Sequence, residues 1–275
     1  MTFALNVVLA SLAYGHGANV HSVNLLRPWL FLICLLVWLG LSRQSMRLPG
    51  QVRNSCVILG LLMCIEMYAL LAAIAYIPVA LTVLTFFTYP LLIAVAAHLR
   101  GKARLTRLKV AAMLVTFAGL ALTLQASPQA LNLLGVGLAF SAACALATVV
   151  YISEQSLQAY DNRVVMAWMM LSTTVCVSLI CMTGLPLLWP HAVLGWSILM
   201  GSTVFYAVAT FLLFTAVQLI GPLRTAVIDN SAPVWALLLG AWLLGEQLAP
   251  LQLCGAALVL LGIVTVQLSR EPQTA

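Results

Sequence analysis

The chain has 275 residues, of which 64% are hydrophobic and only 7% charged, and its mean hydropathy is +1.11. A water-soluble domain carries about a quarter charged residues, so the twelve Lys/Arg and six Asp/Glu here are too few to coat one. This excludes a soluble enzyme or binding domain and makes lipid the solvent. The net charge of +6 does not point to nucleic acid, because the basic residues sit in short stretches between long apolar runs, with no aromatic stacking platform.

A bilayer core is crossed by a helix of about 20 apolar residues. On that rule, spans are expected at 3–20, 25–42, 55–76, 79–99, 108–125, 132–152, 163–184, 193–217, 221–244 and 251–268. The first is the least apolar, diluted by Gly15, His16, Gly17 and Asn19. The N-terminus lacks the basic stretch of a secretory leader, so this segment is expected as a mature span. The connectors carry turn chemistry at Leu48-Pro49-Gly50, Ile77-Pro78, Ser127-Pro128, Trp189-Pro190 and Gly221-Pro222. The seven cysteines all lie in apolar runs without a CxxC pair, so neither a metal nor a cofactor is expected. His16 and His21 lack a third ligand nearby.

Charge placement sets the orientation. Arg43, Arg47 and Arg53 fall in one loop, and Arg100, Lys102, Arg104, Arg107 and Lys109 in another. The loops near 77, 128, 190 and 248 carry no Lys or Arg. By the positive-inside rule, both termini and both basic loops are expected in the cytoplasm of a multi-pass protein, in the bacterial cytoplasmic (inner) membrane.

An internal repeat follows. An offset of 143 residues superposes Ile77 on Ile220, Thr82 on Thr225, Pro90 on Pro233, Leu105 on Leu248 and Gly119 on Gly262. Residues 1–127 and 128–275 then each hold five spans. An odd number of spans inverts the second half, which is the inverted-repeat plan of secondary transporters.

Few ionisable groups fall inside spans, where each costs about 2.5–3.5 kcal/mol on insertion scales. Glu66 in the third span is expected either as a proton or cation site, or as a structural acid bonded between helices. In the ninth span Pro233 cannot donate to the carbonyl four residues earlier. That carbonyl belongs to Asp229, so a freed acceptor and a carboxylate coincide beside Asn230; the alternative is a plain kink. Pro90 is the mate of Pro233, frees the carbonyl of Phe86, and has Tyr89 beside it. Arg27 and Arg224 lie near span ends, where snorkelling to the interface competes with a buried role. Trp235, two residues past the kink, and Trp168 are candidates for a cavity wall, with lipid contact or packing as alternatives. Trp189 and Trp196 read as interface anchors, and the small residues at 135, 137, 139 and 255–257 as close helix contacts. The candidate substrate-binding set is therefore Glu66, Asp229, Asn230, Trp235, Tyr89 and Arg27, with helix breaks at Pro90 and Pro233.

In chain order, Tyr14-Gly15, Leu26-Arg27, Pro90-Leu91, Pro233-Val234 and Gly245-Glu246 followed by Leu248 resemble the drug/metabolite transporter superfamily, EamA type, over nearly the whole chain. The resemblance implies an all-α permease of ten transmembrane helices with a central cavity between its halves. It also implies a small-molecule substrate, with export coupled to protons or to exchange. Gly101-Lys102 stands where Gly-Glu is common in the family, so no role for that acid carries over to the first repeat. An intramembrane enzyme is disfavoured, since HExxH, Gly-x-Ser-x-Gly and paired intramembrane aspartates are missing. A non-transporting receptor or anchor leaves the duplicated unit unexplained.

The orientation is testable. With Lys102→Cys, an impermeant thiol reagent outside intact cells should give no labelling beyond that of the native chain; strong new labelling reverses the assignment.

Overall fold

The computed structural model describes residues 2–74, 76–77, 79–101, 106–123, 132–184, 186–232, 234–235, 238 and 249–268. Pro233, Lys102, Gly245, Glu246, Leu248 and the 127/128 boundary between the halves lie outside the described residues. Every element described is a helix. They are α1 (Thr2–Gly15), α2 (Val20–Leu41), α3 (Gly50–Ile74), α4 (Val79–Phe86), α5 (Tyr89–Leu99), α6 (Arg107–Thr123), α7 (Leu133–Ala159), α8 (Asn162–Met182), α9 (Val193–Ile220), α10 (Pro222–Asp229) and α11 (Pro250–Leu268).

Six described helical segments are long and apolar enough to cross a membrane: Val20–Leu41, Gly50–Leu70, Thr82–Leu99, Leu133–Ala159, Asn162–Met182 and Val193–Ile220. Their outward faces are apolar as well. On α2, Phe31, Leu32, Leu35 and Leu39 are buried while Ile33, Leu36 and Val37 are exposed. A helix apolar all round belongs in lipid, and the protein is an integral multi-pass membrane protein. Several boundaries differ from the hydropathy reading, with α2 and α3 starting earlier, at Val20 and Gly50. The sixth span runs on to Ala159 rather than stopping near 152, because the helix continues past the apolar run with Gln158 bonded back to Glu154 at 3.4 Å. The fourth is two helices, α4 and α5, with a turn at 87–88 between them.

The chain gathers into two compact units, Met1–Met67 with Ile152–Leu219, and Tyr68–Tyr151 with Ile220–Ala275. Each draws on both sequence halves. In the first unit α2 packs on α8, and α3 approaches α8 closely at Gly60. A Cβ there would collide with Ser172 Oγ and the Met169 carbonyl, and Thr173 Oγ1 donates to the Gly60 carbonyl at 2.8 Å. The turn from α1 to α2 is closed by a capping box, in which Asn19 accepts from the Ser22 amide at 2.9 Å. That turn is also pinned to the segment before α9, since Ser22 Oγ donates to the Leu188 carbonyl at 2.6 Å. Gly17 sits there at φ +99° with the His191 ring against it, a position that a side chain tolerates poorly. Trp189 and Trp196, expected as interface anchors, stack on each other at 5.6 Å between centroids.

In the second unit α6 and α11 pack along their length through small residues. A Cβ on Gly119 would lie 2.7 Å from the Val259 amide nitrogen and 2.8 Å from the Gly255 carbonyl; one on Gly262 would lie 2.8 Å from the Ala112 carbonyl and collide with Thr116 Oγ1. Such backbone approach is how helices associate in lipid, where no hydrophobic force separates tail from side chain. Of the other small residues, Gly135 packs against Tyr76 and Ile77, and Gly137 faces open space.

Gly119→Ala and Gly262→Ala should each lower detergent-solubilised stability by about 1–3 kcal/mol, the usual cost of overpacking, whereas Gly137→Ala should be neutral or stabilising. Thermal unfolding of the three variants checks the contact, and equal melting temperatures would remove it.

Candidate functional site

The second unit holds two interrupted helices at corresponding places. α4 ends at Phe86 with a turn at 87–88, and α10 ends at Asp229 with a turn at 230–231, so the offset of 143 carries one interruption onto the other. The local hydrogen bonds correspond too. The Phe87 amide reaches the Val83 carbonyl at 2.9 Å and the Thr88 amide the Thr85 carbonyl at 3.2 Å; the Asn230 amide reaches Ala226 at 3.2 Å and Ser231 reaches Ile228 at 2.9 Å. Both helices tighten from i→i−4 to i→i−3 bonding at the same step, the usual way a helix end satisfies its last carbonyls. Pro90, second residue of α5, lacks the amide that would continue the ladder onto Phe86.

The two interruptions are tied together. α5 packs on α10, and the Tyr89 hydroxyl donates to the Asp229 carboxylate at 2.8 Å and lies 3.4 Å from the Ala226 carbonyl. Tyr89 is wholly buried. Beside this bond lies a small cleft lined by Phe87, Pro90, Leu91, Met113, Thr116, Phe117, Val227 and Asn230. Phe87 and Asn230, one apolar and one polar, both line it. Asn230 is 8% exposed, and its side-chain oxygen has no hydrogen-bond partner. A buried amide acceptor left open costs about 1–3 kcal/mol, so the cleft offers a place for a donor. The structure thus brings Tyr89, Pro90, Asp229 and Asn230 together. Asp229 meets Tyr89 and is not among the residues lining the cleft. Trp235 is exposed.

A second polar cluster lies in the first unit. Arg27, expected near a span end, is the eighth residue of α2. Its Nη2 donates to Asn6 Oδ1 of α1 at 2.9 Å and lies 3.5 Å from Ser202 Oγ of α9. Ser202 Oγ donates in turn to Asn6 Oδ1 at 3.1 Å. The guanidinium stands over the Tyr206 ring at 5.3 Å, one turn of α9 past Ser202. Asn6, Ser202 and Tyr206 are buried, and Arg27 Nε is enclosed without a partner. Glu66, half-buried on α3, lies within electrostatic range of both Arg27 and Tyr206. Pro28, the residue after Arg27, withholds the amide that would bond the Asn24 carbonyl, although α2 runs unbroken past it.

Besides Trp235, two sequence candidates fall outside both clusters. Trp168 is held at a loop, where its Nε1 donates to the Met46 carbonyl at 2.9 Å with Arg53 over its ring at 5.7 Å. Arg224 is exposed. Asn6, Ser202, Tyr206 and Thr116 were not singled out from sequence, although Asn6 is a polar residue in an apolar run, and Ser202 and Tyr206 share a helix face at i, i+4.

Residues 133–268 match the EamA-like transporter family. A protein of Synechocystis sp. named as an uncharacterized transporter is 26% identical over 225 residues, which cover 78% of this chain and 67% of that protein. A protein of known crystal structure superposes with a TM-score of 0.81 at 20% identity, covering 97% of this chain and 94% of that one; this shows the fold.

The tie between the interruptions predicts a measurable coupling. Tyr89→Phe should destabilise the protein by about 1–3 kcal/mol, because it leaves a buried carboxylate short of a donor. In an Asp229→Ala background the same substitution should cost far less; equal costs in both backgrounds would show that the two side chains act independently.

Proposed function

Since the chain belongs to the EamA-type permeases of the drug/metabolite transporter superfamily, we propose that it is a secondary transporter exporting a small metabolite or drug-like solute. It works by alternating access between two inverted five-helix repeats, with both termini and the basic loops at 43–54 and 100–109 in the cytoplasm. The observation that carries this reading is the pair of helix interruptions at 87–88 and 230–231, one repeat length apart and joined by Tyr89 and Asp229. Helices broken at matching places in two halves are the best pointer to a transporter's midplane site, and an unsatisfied Asn230 oxygen beside them gives a solute donor something to bond.

The reciprocal contact of α6 with α11 supports the inverted repeat. Gly119 meets Gly255 and Val259, and Gly262 meets Ala112 and Thr116; the offset of 143 turns the first set of partners into the second. Contacts that exchange in this way are those of a two-fold arrangement. An intramembrane enzyme or a static anchor needs neither the duplication nor the paired breaks.

Transport by purified protein in sealed proteoliposomes, with a solute found by screening, tests the reading. Asp229→Asn should slow transport sharply at unchanged expression. Pro233→Ala restores a backbone donor and removes a residue costing about 3 kcal/mol in a helix interior relative to Ala, so it should raise the melting temperature while slowing transport. Pro90 sits in the first turn of α5, where proline is tolerated, so Pro90→Ala should slow transport mildly without raising the melting temperature. Normal transport by all three would move the solute path away from the broken helices.

A further inference from the structure

We propose that the loop between α2 and α3, folded over the start of α8, binds the head group of an anionic phospholipid whose hydrocarbon chains lie along the exposed face of α2.

Two bonds fasten this loop to α8. Arg163 Nη1 donates to Ser42 Oγ at 3.3 Å, and Trp168 Nε1 donates to the Met46 carbonyl at 2.9 Å. An arginine follows each fastened residue, Arg43 after Ser42 and Arg47 after Met46. Arg53, in the first turn of α3, stands over the Trp168 ring at 5.7 Å, and Arg163 stands over the Trp38 ring at 5.1 Å. Four arginines are thereby brought to the first two turns of α8. Asp161 answers only Arg163, at 2.7 Å. Among the described residues Arg43, Arg47 and Arg53 form no ion pair, and all three are exposed.

Arg43 carries a further mark. Its φ is +50°, and among the described residues other than glycine it alone lies in the left-handed region. It closes α2, where its amide reaches the Gly40 carbonyl at 3.1 Å and the Gln44 amide reaches the Leu39 carbonyl at 3.0 Å. Helix ends bonded in this way usually place glycine at that position, because glycine makes the turn without strain. What arginine adds there is a charge and a fork of five N–H donors, which matches the oxygens of a phosphate.

The surface beside the charge identifies the occupant. Ile33, Val37 and Leu41 recur at i, i+4 and i+8 on α2 and are all exposed, so an apolar stripe runs along the helix up to Arg43. A free phosphate uses the charge alone, whereas a phospholipid uses the charge and the stripe together. A zwitterionic head group brings its own cation against the arginines, so the lipid that fits is one with net negative charge. Such binding needs only that the chain lie in a bilayer, so it stands or falls apart from transport.

Purified protein in nanodiscs of phosphatidylcholine, with a rising fraction of phosphatidylglycerol, tests the site through the melting temperature. Phosphatidylglycerol should raise it saturably. Arg43→Gly should melt higher than the native chain in phosphatidylcholine alone, since the left-handed turn is relieved. It should nevertheless need at least about fivefold more phosphatidylglycerol for its half-maximal shift, the share of one surface cation. Arg47→Gln should show the same loss without the gain in stability, and keeps the test open if Arg43→Gly fails to fold. Arg107→Gln removes the same charge from the other basic loop and should leave the titration unchanged. A melting temperature indifferent to phosphatidylglycerol overturns the proposal. Equal losses in Arg107→Gln and Arg43→Gly overturn it too, since the lipid then answers net charge rather than a site. Inorganic phosphate added to phosphatidylcholine discs should have no effect; if it reproduces the shift, the ligand is a free phosphate and the lipid assignment fails.

Discussion

Hydrocarbon offers no hydrogen bonds, and the rest of this structure depends on that constraint. Every peptide group in the bilayer must find a partner within the protein, at a cost of several kcal/mol where it does not. Continuous helices meet the demand automatically; broken ones do not. The chain nevertheless breaks two helices and answers each break locally. At 87–88 the Thr88 hydroxyl donates to the Thr85 carbonyl at 2.7 Å, and at 230–231 the Asn230 amide takes up Ala226. The Tyr89 phenol then bridges to Asp229. Each bond is ordinary, and together they make an interruption tolerable in a place where interruptions are expensive.

The same constraint explains how charge is distributed. The basic residues of the connecting loops reach aromatic or polar partners at helix ends. Arg163 pairs with Asp161 at 2.7 Å, stands over Trp38 at 5.1 Å, and holds the Asp161 carboxyl below its ordinary range through the hydrogen bonds it donates. Arg53 covers Trp168. Arg27 departs from this pattern, because its partners lie inside the bundle. An amide, a hydroxyl and a ring hold that cation in position.

The all-helical membrane class was legible in composition alone, and the turns at 87–88 and 230–231 lie just before Pro90 and Pro233 in the sequence. Arg27 was harder to read. Its position relative to a hydropathy window suggested a span end, yet α2 begins at Val20, several residues before the apolar run, because Asn19 and Ser22 cap it there. A polar cap extends a helix beyond its apolar run, so Arg27 is the eighth residue of α2 and not its opening one. Its partners Asn6 and Ser202 are more than twenty and more than one hundred residues away, a separation no local pattern encodes. Asp229 shows the opposite lesson. The sequence marked it as charged and beside a freed carbonyl, but only the packing of α5 on α10 reveals that a tyrosine 140 residues away meets it.

The close contact of α6 with α11 has a further consequence for how this molecule can change over time. Both sides belong to one polypeptide, so a substitution on one helix leaves the other as it was. Gly119 lies against Gly255 and Val259, and Gly262 against Ala112 and Thr116. One flank carries a hydroxyl that bonds its own helix, Thr116 to the Ala112 carbonyl at 2.9 Å, and the other the branched hydrocarbon of Val259. The contact therefore presents two chemically distinct walls, each open to change against the other.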